Sequence, residues 1–262
     1  MAPGKSQGFI GEYDLTRTHC EALDGVSQER GKGQSMKSRM LDNTRSWNPF
    51  KGCRFDCVYC KYGFRLNSKI SKNRCMDCYN YVPHYHLKKL KTIPPEQGIL
   101  VCGDADISFC KPEFTGQIIE AIKKHNRRCS YKTFYFQSKR PEYFKPFLSQ
   151  FPRNIVLVAT LETNRDEGYK AISKAPVPSK RYEQFKKLAY DRKAVSIDPM
   201  IDFDTGIFFS WMQAIKPEHI WLGFNTHPKK VQIPEPSESK VLEFMRMLDI
   251  GCIRIREKDL RR

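Results

Sequence analysis

The sequence predicts an α/β protein built from parallel βαβ units, most simply a partial (β/α)6 TIM-like barrel. Two observations carry that prediction. From residue 98 onward, short apolar runs alternate with amphipathic segments. The apolar runs are continuous, as expected for strands covered on both faces. A flavodoxin-like open sheet fits the same pattern and is the fold-level alternative.

The elements follow in order. Residues 1–40 are rich in Gly, Ser and charge and read as a flexible basic N-terminal arm, which leaves 41–262 as the core. Residues 41–52 lead an extended segment into a Cys-rich loop. Residues 61–96 form an insertion that carries Cys and His but little periodicity. The run at 98–103 (GILVCG) reads as a buried strand. A helix over 112–125 follows from Phe114, Ile118, Ile119 and Ile122, with Pro112 suited to its start. Strands are expected at 133–137, 154–161, 194–197 and 219–224, with a last one at 252–255. Between them lie helical segments at 141–148, 179–190, 205–215 and 237–248. With the segment before the Cys loop, the barrel strands number about six.

Length and composition bound the function. A chain of 262 residues suits one domain with small extensions. No apolar run approaches the roughly 18 residues of a membrane span, and the first residues lack an apolar signal core. The expectation is a cytoplasmic protein with no membrane partner. In that compartment thiols stay reduced, so ten Cys point to metal ligation rather than to disulfides. A net charge of +17 favours polyanionic partners, DNA or RNA, over a merely Lys-rich solvated surface. Basic residues and Tyr interleave over 61–91, including Lys61, Tyr62, Lys69, Tyr79, Tyr81 and Tyr85. Such a stretch can neutralise phosphates and stack on bases, or form a charged face with Tyr packed beneath.

Cys53, Cys57 and Cys60 follow Trp47-Asn48-Pro49 in a C-x3-C-x2-C loop with Tyr59 before the last Cys. Iron–sulfur clusters usually take four Cys ligands, so three thiolates in one tight loop leave one iron of a 4Fe-4S cluster open to a small ligand. Zinc more often uses paired C-x2-4-C knuckles. The loop resembles the signature of the radical S-adenosylmethionine (SAM) superfamily. Further motifs, Ser138-Lys139-Arg140-Pro141, Thr160-Leu161-Glu162-Thr163-Asn164 and Ser196-Ile197-Asp198-Pro199-Met200, resemble a radical-SAM-like family of phages and archaea related to spore photoproduct lyase. The likeness covers roughly 41–228. It implies a radical SAM barrel, a 4Fe-4S cluster on Cys53, Cys57 and Cys60, and SAM on the open iron. It also implies cleavage of SAM to a 5′-deoxyadenosyl radical and an external electron donor such as flavodoxin or ferredoxin. The implied function is modification or repair of a nucleic acid or nucleotide, with lyase or transferase chemistry left open. The alternatives are a non-enzymatic iron–sulfur or zinc nucleic-acid-binding module, or a radical SAM enzyme on a peptide or small metabolite.

In a parallel barrel ligands bind at the C-terminal strand ends. There the sequence offers Gly103, Asp104, Asp106, Gln137, Glu162 and Asp198 as candidates for SAM contact. The resemblance gives Gly103 a role beside the SAM amino group. Each acidic residue has an alternative as a turn or cap residue. Cys110 lies just past a strand end. Because spore photoproduct lyase uses a Cys as hydrogen donor, Cys110 is the catalytic candidate that the resemblance suggests. Cys102 reads as a core residue, and Cys20, Cys129 and Cys252 as packing residues. A second group, Cys75, Cys78, His84 and His86, has the composition of a Cys2His2 zinc site with unusually short spacing. A redox dithiol, free thiols, and a second cluster completed by Cys102 and Cys110 remain alternatives. Oligomeric state is not legible.

Overall fold

Seven strands form one all-parallel sheet: β1 (Thr44–Trp47), β4 (Gly98–Val101), β5 (Thr133–Ser138), β6 (Ile155–Thr160), β7 (Lys193–Ile197), β8 (His219–Gly223) and β9 (Ile255–Asp259). A two-stranded antiparallel ribbon joins β2 (Phe50–Lys51) to β3 (His84–Tyr85). The helices are α1 (Phe64–Ile70), α2 (Met76–Asn80), α3 (Pro112–Asn126), α4 (Tyr169–Ile172), α5 (Pro178–Lys186), α6 (Thr205–Ile215) and α7 (Glu238–Ile250). The structure is a computed structural model and describes residues 43–70, 75–128 and 131–259. The basic arm at 1–40, with Cys20, and Cys129 lie outside the described residues.

The order of strands in the sheet is their order in the chain. That decides between the two expected architectures. A doubly wound sheet reverses direction at a switch point. A sheet wound one way, with right-handed crossovers, sends its helices to one face and curls into a barrel wall. The result here is a curled half-barrel of seven parallel strands.

Side chains alternate across this wall. Ile99, Val101, Phe134, Phe136, Ile155, Leu157, Val195, Ile197, Ile220 and Leu222 face the helices and form the main core with Phe114, Ile118 and Ile122 of α3 and Phe208 and Phe244 of α6 and α7. Leu100, Tyr135, Val156, Val158, Ala194 and Trp221 face the barrel interior. Both faces are buried, which explains the unbroken apolar runs in the sequence.

Local chemistry places the boundaries close to those read from the sequence. Pro112 and Pro178 occupy the first turns of α3 and α5. The Ser237 hydroxyl accepts from the Lys240 N–H at 3.3 Å and caps α7. The segment over 141–148 folds as a 3-10 turn, Pro141–Phe147, with Pro146 inside it. The last strand differs from expectation. The region around 252 is a turn with Cys252 exposed at φ 54° and disulfide-bonded rather than a free packing thiol, and β9 begins only at Ile255. β9 reads IREKD, a charged edge strand with no apolar run to betray it. The insertion is more ordered than its composition suggests and contributes α1, α2 and β3. Among the described residues no helix is long and apolar enough to cross a membrane.

His219 of β8 packs edge-on against Trp221 and Tyr135 inside the wall, with centroids 4.3 and 6.0 Å apart. Burial, then the charges of Arg256, Arg254 and Arg192, push it down to about 3. The unfolded chain takes up a proton below about pH 6.5 that the folded chain refuses, so stability falls as pH falls through that window. We expect His219 to account for a loss of about 2 kcal/mol between about pH 6.5 and pH 5. Urea midpoints for His219→Phe should show a flatter acid limb than the parent.

Candidate active site

The Cys loop leaves β2 at Gly52, whose φ is +90°. Gly52 donates to the Asp104 carbonyl at 3.1 Å, and Cys53 N–H to the Tyr81 carbonyl at 3.4 Å. Farther along, Lys174 N–H donates to the Phe55 carbonyl at 2.7 Å. Asp56, at φ 53°, pairs with Arg65 at 2.5 Å and Lys174 at 2.9 Å. Phe55 packs on Phe109 with centroids 4.7 Å apart and rings tilted by 58°. Three separate segments therefore clamp the loop: the end of β4, the insertion, and the connection between β6 and β7.

Cys53, Cys57 and Cys60 line one cavity of about 120 Å3 with Gly103, Asp106, Gln137, Lys139 and Asp198. Cys57 Sγ lies 3.1 Å from Ser173 Oγ, and Phe55 N–H donates to Cys53 Sγ at 3.4 Å. The Cys60 thiol, together with Lys139, Ser173 and Tyr59, pulls the Cys57 thiol down to about 5. Its donor role to Cys57, and burial, push Cys60 well up. Burial and the nearby Asp106 push Cys53 up to about 12. The site thus supports negative charge on sulfur at Cys57, with the buried cation Lys139 beside it.

Behind the loop lies a polar core. Glu162 is fully buried. One carboxylate oxygen accepts from Lys139, Tyr59 and, at 3.0 Å, Tyr169. The other accepts from the buried Arg181 at 2.6 Å. Tyr59 lies between Cys57 and Cys60 in sequence, so this network ties the loop to β6 and α5.

The chain superposes on a cysteine variant of spore photoproduct lyase with a TM-score of 0.55 at 12% identity, covering 87% of this chain and 80% of that one. A spore photoproduct lyase variant with dinucleoside spore photoproduct gives 0.55 at 11% identity, covering 86% and 78%. A radical SAM methyltransferase from Sphaerobacter thermophilus gives 0.53 at 14% identity, covering 84% and 67%. The fold is the radical SAM half-barrel. No family model and no curated protein matches the sequence.

Within the radical SAM half-barrel the expected site residues separate. Gly103, Asp106, Gln137 and Asp198 line the cavity with the three Cys. A Cβ on Gly103 would meet Ser46 Oγ at 2.6 Å, so the strand end is held bare there. Gln137 donates to Thr160 Oγ1 at 2.8 Å. Asp198 pairs with Lys258 of β9. Asp106 also has the alternative role weighed for it. It caps the turn at Ile107–Phe109, accepting from Ser108 N–H at 3.0 Å, Ser138 Oγ at 2.7 Å and Lys139 N–H at 2.7 Å. Asp104 is not among the lining residues and pairs with Lys51 at 2.7 Å. Glu162 sits behind the lining with both oxygens engaged by protein side chains. Cys110 is buried in the helix-side core and is not among the lining residues. Cys102 is buried in the main core, as read from its apolar strand, and at φ 56° it also borders the cavity.

Sequence reasoning missed Lys139, Tyr59 and Lys258. Lys139 was visible only as a member of the strand-end run, and nothing in a polar tripeptide shows that its ammonium is buried. Removing one partner from a buried ion pair strands the other charge. Glu162→Ala should therefore cost about 3–5 kcal/mol in urea denaturation. Glu183→Ala, on the exposed face of α5, should leave the urea midpoint nearly unchanged.

Proposed function

We propose that the protein is a radical SAM enzyme acting on a nucleic acid or nucleotide. The observation that carries this is the convergence of Cys53, Cys57 and Cys60 with Gly103, Gln137 and Asp198 on one cavity at the C-terminal mouth of the half-barrel. The donor set fits a 4Fe-4S cluster with one open iron, since three thiolates are supplied and the cavity adjoins them. When bound, the cluster and SAM supply a 5′-deoxyadenosyl radical.

The chain's own residues do the rest. Cys53, Cys57 and Cys60 ligate iron. Lys139 balances the negative charge that gathers on the sulfurs. The bare backbone at Gly103 admits close approach of the cofactor's amino-acid moiety to the end of β4. Gln137 and Asp198 offer hydrogen-bonding groups to the rest of the cofactor. Phe55, Tyr59 and Tyr81 wall the cavity against water. Reduction comes from an external donor of the flavodoxin or ferredoxin type.

Charge and contacts support a nucleic-acid partner. The chain carries +17. Lys61 and Lys230 each lie over Tyr62, at 5.5 and 5.4 Å from the ring, two residues before Phe64 of the cavity lining. Two of the interleaved tyrosines have other work. Tyr81 is buried in the cavity wall, and Tyr85 packs on Phe50 and Phe114 at 5.4 and 4.6 Å. The spore photoproduct lyase neighbour with a dinucleoside product supports the same substrate class.

Anaerobically reconstituted protein should hold about four irons per chain. On reduction it should convert SAM to 5′-deoxyadenosine. Cys57→Ala should lose the iron and the conversion. Asp198→Ala should keep the iron and weaken SAM binding, read by the change SAM makes to the reduced cluster's EPR signal. An intact cluster that neither responds to SAM nor cleaves it would sink the enzyme reading.

Binding to single- or double-stranded DNA or RNA should weaken steeply with salt, as phosphate contacts release counterions. Reversing charge at Lys61 and Lys230 should lower affinity for all sequences and reduce the salt slope by about 2. Absence of binding at about 50 mM salt would move the substrate to a peptide or small metabolite.

A further inference from the structure

Outside the cavity, four side chains converge in the insertion. Cys75 stands at the start of α2 and Cys78 within it, while His84 and His86 lie in and just after β3. One ligand atom from each lies within 4.8 Å of every other. His84 Nε2 is 3.5 Å from Cys75 Sγ, 3.2 Å from Cys78 Sγ and 2.7 Å from His86 Nε2. Cys78 Sγ is 3.3 Å from His86 Nε2. A tetrahedron built on zinc bond lengths of about 2.3 Å to sulfur and about 2.0–2.1 Å to nitrogen has edges of about 3.3–3.8 Å. The three sulfur–nitrogen spacings, 3.2–3.5 Å, come close to such edges, and the His84–His86 spacing is shorter. His84 Nδ1 lies 2.8 Å from the Val82 carbonyl, the outer hydrogen bond that fixes a ligating imidazole.

The set is too tight for two irons, which would hold the Cys pair and the His pair on opposite metals. Cys102 and Cys110, the residues that could complete a second cluster, are not part of the group. Two imidazole nitrogens aimed at the two sulfurs also set this group apart from a simple redox dithiol. The short spacing that strains the site on paper is accommodated by geometry. Tyr81 adopts φ 54° and ends α2, and its N–H donates to the Asp77 and Cys78 carbonyls. The chain then reverses into β3.

The same reversal is the surface on which the Cys loop rests. Tyr81 gives its carbonyl to Cys53 N–H. Val82, whose carbonyl faces His84, lies against Gly52, where an added Cβ would fall 2.1 Å from the Val82 oxygen. β3 pairs His84 with Lys51 and Tyr85 with Phe50. His86 N–H donates to the Pro49 carbonyl at 2.7 Å. Among the described residues, the backbone–backbone hydrogen bonds that join the insertion to the entry of the Cys loop come from residues 81–86.

We propose that Cys75, Cys78, His84 and His86 bind one zinc ion, and that this ion braces the loop carrying Cys53, Cys57 and Cys60. The brace rests on the cluster reading given above; the ion does not. With no core of its own, α2 is held to β3 by the metal, so metal binding becomes folding energy for this segment. Losing it frees Tyr81 and Val82 and so loosens the approach to Cys53.

The test measures zinc and iron separately on the full chain, by mass spectrometry, after anaerobic purification from zinc-supplemented cells and cluster reconstitution. The parent should carry about one zinc beside its iron. Cys57→Ala should lose iron and keep zinc. Cys78→Ser should lose zinc and release iron to a chelator at least about tenfold faster. His86→Cys, which preserves a four-ligand zinc set, should keep both metals and so separate ligation from general misfolding. A parent without zinc, or iron held at this group in Cys57→Ala, overturns the ion. Zinc-free Cys78→Ser with unchanged iron content and release rate overturns the brace. Zinc without iron in the parent overturns the cluster reading and the brace with it, while the ion stands.

Discussion

Both oxygens of Glu162 are occupied inside the protein, and the arrangement of the Cys loop follows from that. A lone buried carboxylate would take up a proton rather than remain charged. Lys139 on one side and Arg181 on the other pair with it, and the hydroxyls of Tyr59 and Tyr169 complete its shell. Tyr59 is part of the loop, so the carboxylate fixes the loop by a side chain lying between two of its thiols. Lys139 is shared. The ammonium that answers Glu162 also stands near the sulfurs and lowers the cost of charge on Cys57. One buried anion thus sets both the position and the electrostatics of the loop.

The second constraint is topological. Because the seven strands are laid down in chain order, the long crossover helices α3, α5, α6 and α7 pack on the outer face. The inner face is left with a small apolar patch and an aromatic floor of Tyr135, His219 and Trp221. Polar side chains at the C-terminal strand ends then converge by geometry alone. Gly103 follows β4, Gln137 and Thr160 belong to β5 and β6, Asp198 follows β7, and Lys258 lies on β9. Five strand ends contribute to one cavity, and the Cys loop roofs it.

Much of this was legible in the sequence, for identifiable reasons. Strands buried on both faces announce themselves as apolar runs, so β4 to β8 were placed within a residue or two. α6 was read at its observed bounds, and Pro112 marked the start of α3. Cys53, Cys57 and Cys60 declared themselves by spacing. What failed to show depends on partners distant in sequence. Glu162 is indistinguishable from a solvent-facing carboxylate until Arg181 and Lys139 are seen around it. Cys102 and Cys110 could be ranked only by their distance from a strand end; both are buried in the core, and only Cys102, with its left-handed backbone, also borders the cavity. β9 was misplaced because an edge strand of charged residues carries no apolar signature. The Cys and His residues of the insertion were visible, but only the reversal at Tyr81 brings them onto one point.

The pairing of Asp198 with Lys258 has a consequence for assembly. The cavity wall runs from Cys53 to Lys258, so its first and last contributors are separated by nearly the whole barrel. Contacts this distant in sequence form late, after the intervening units have closed their own. During synthesis the three thiols emerge long before the wall that shields them, and they remain open to oxidants and stray metals in that interval. A chain stalled before residue 258 therefore displays its three sulfurs without the last residue of the wall that encloses them.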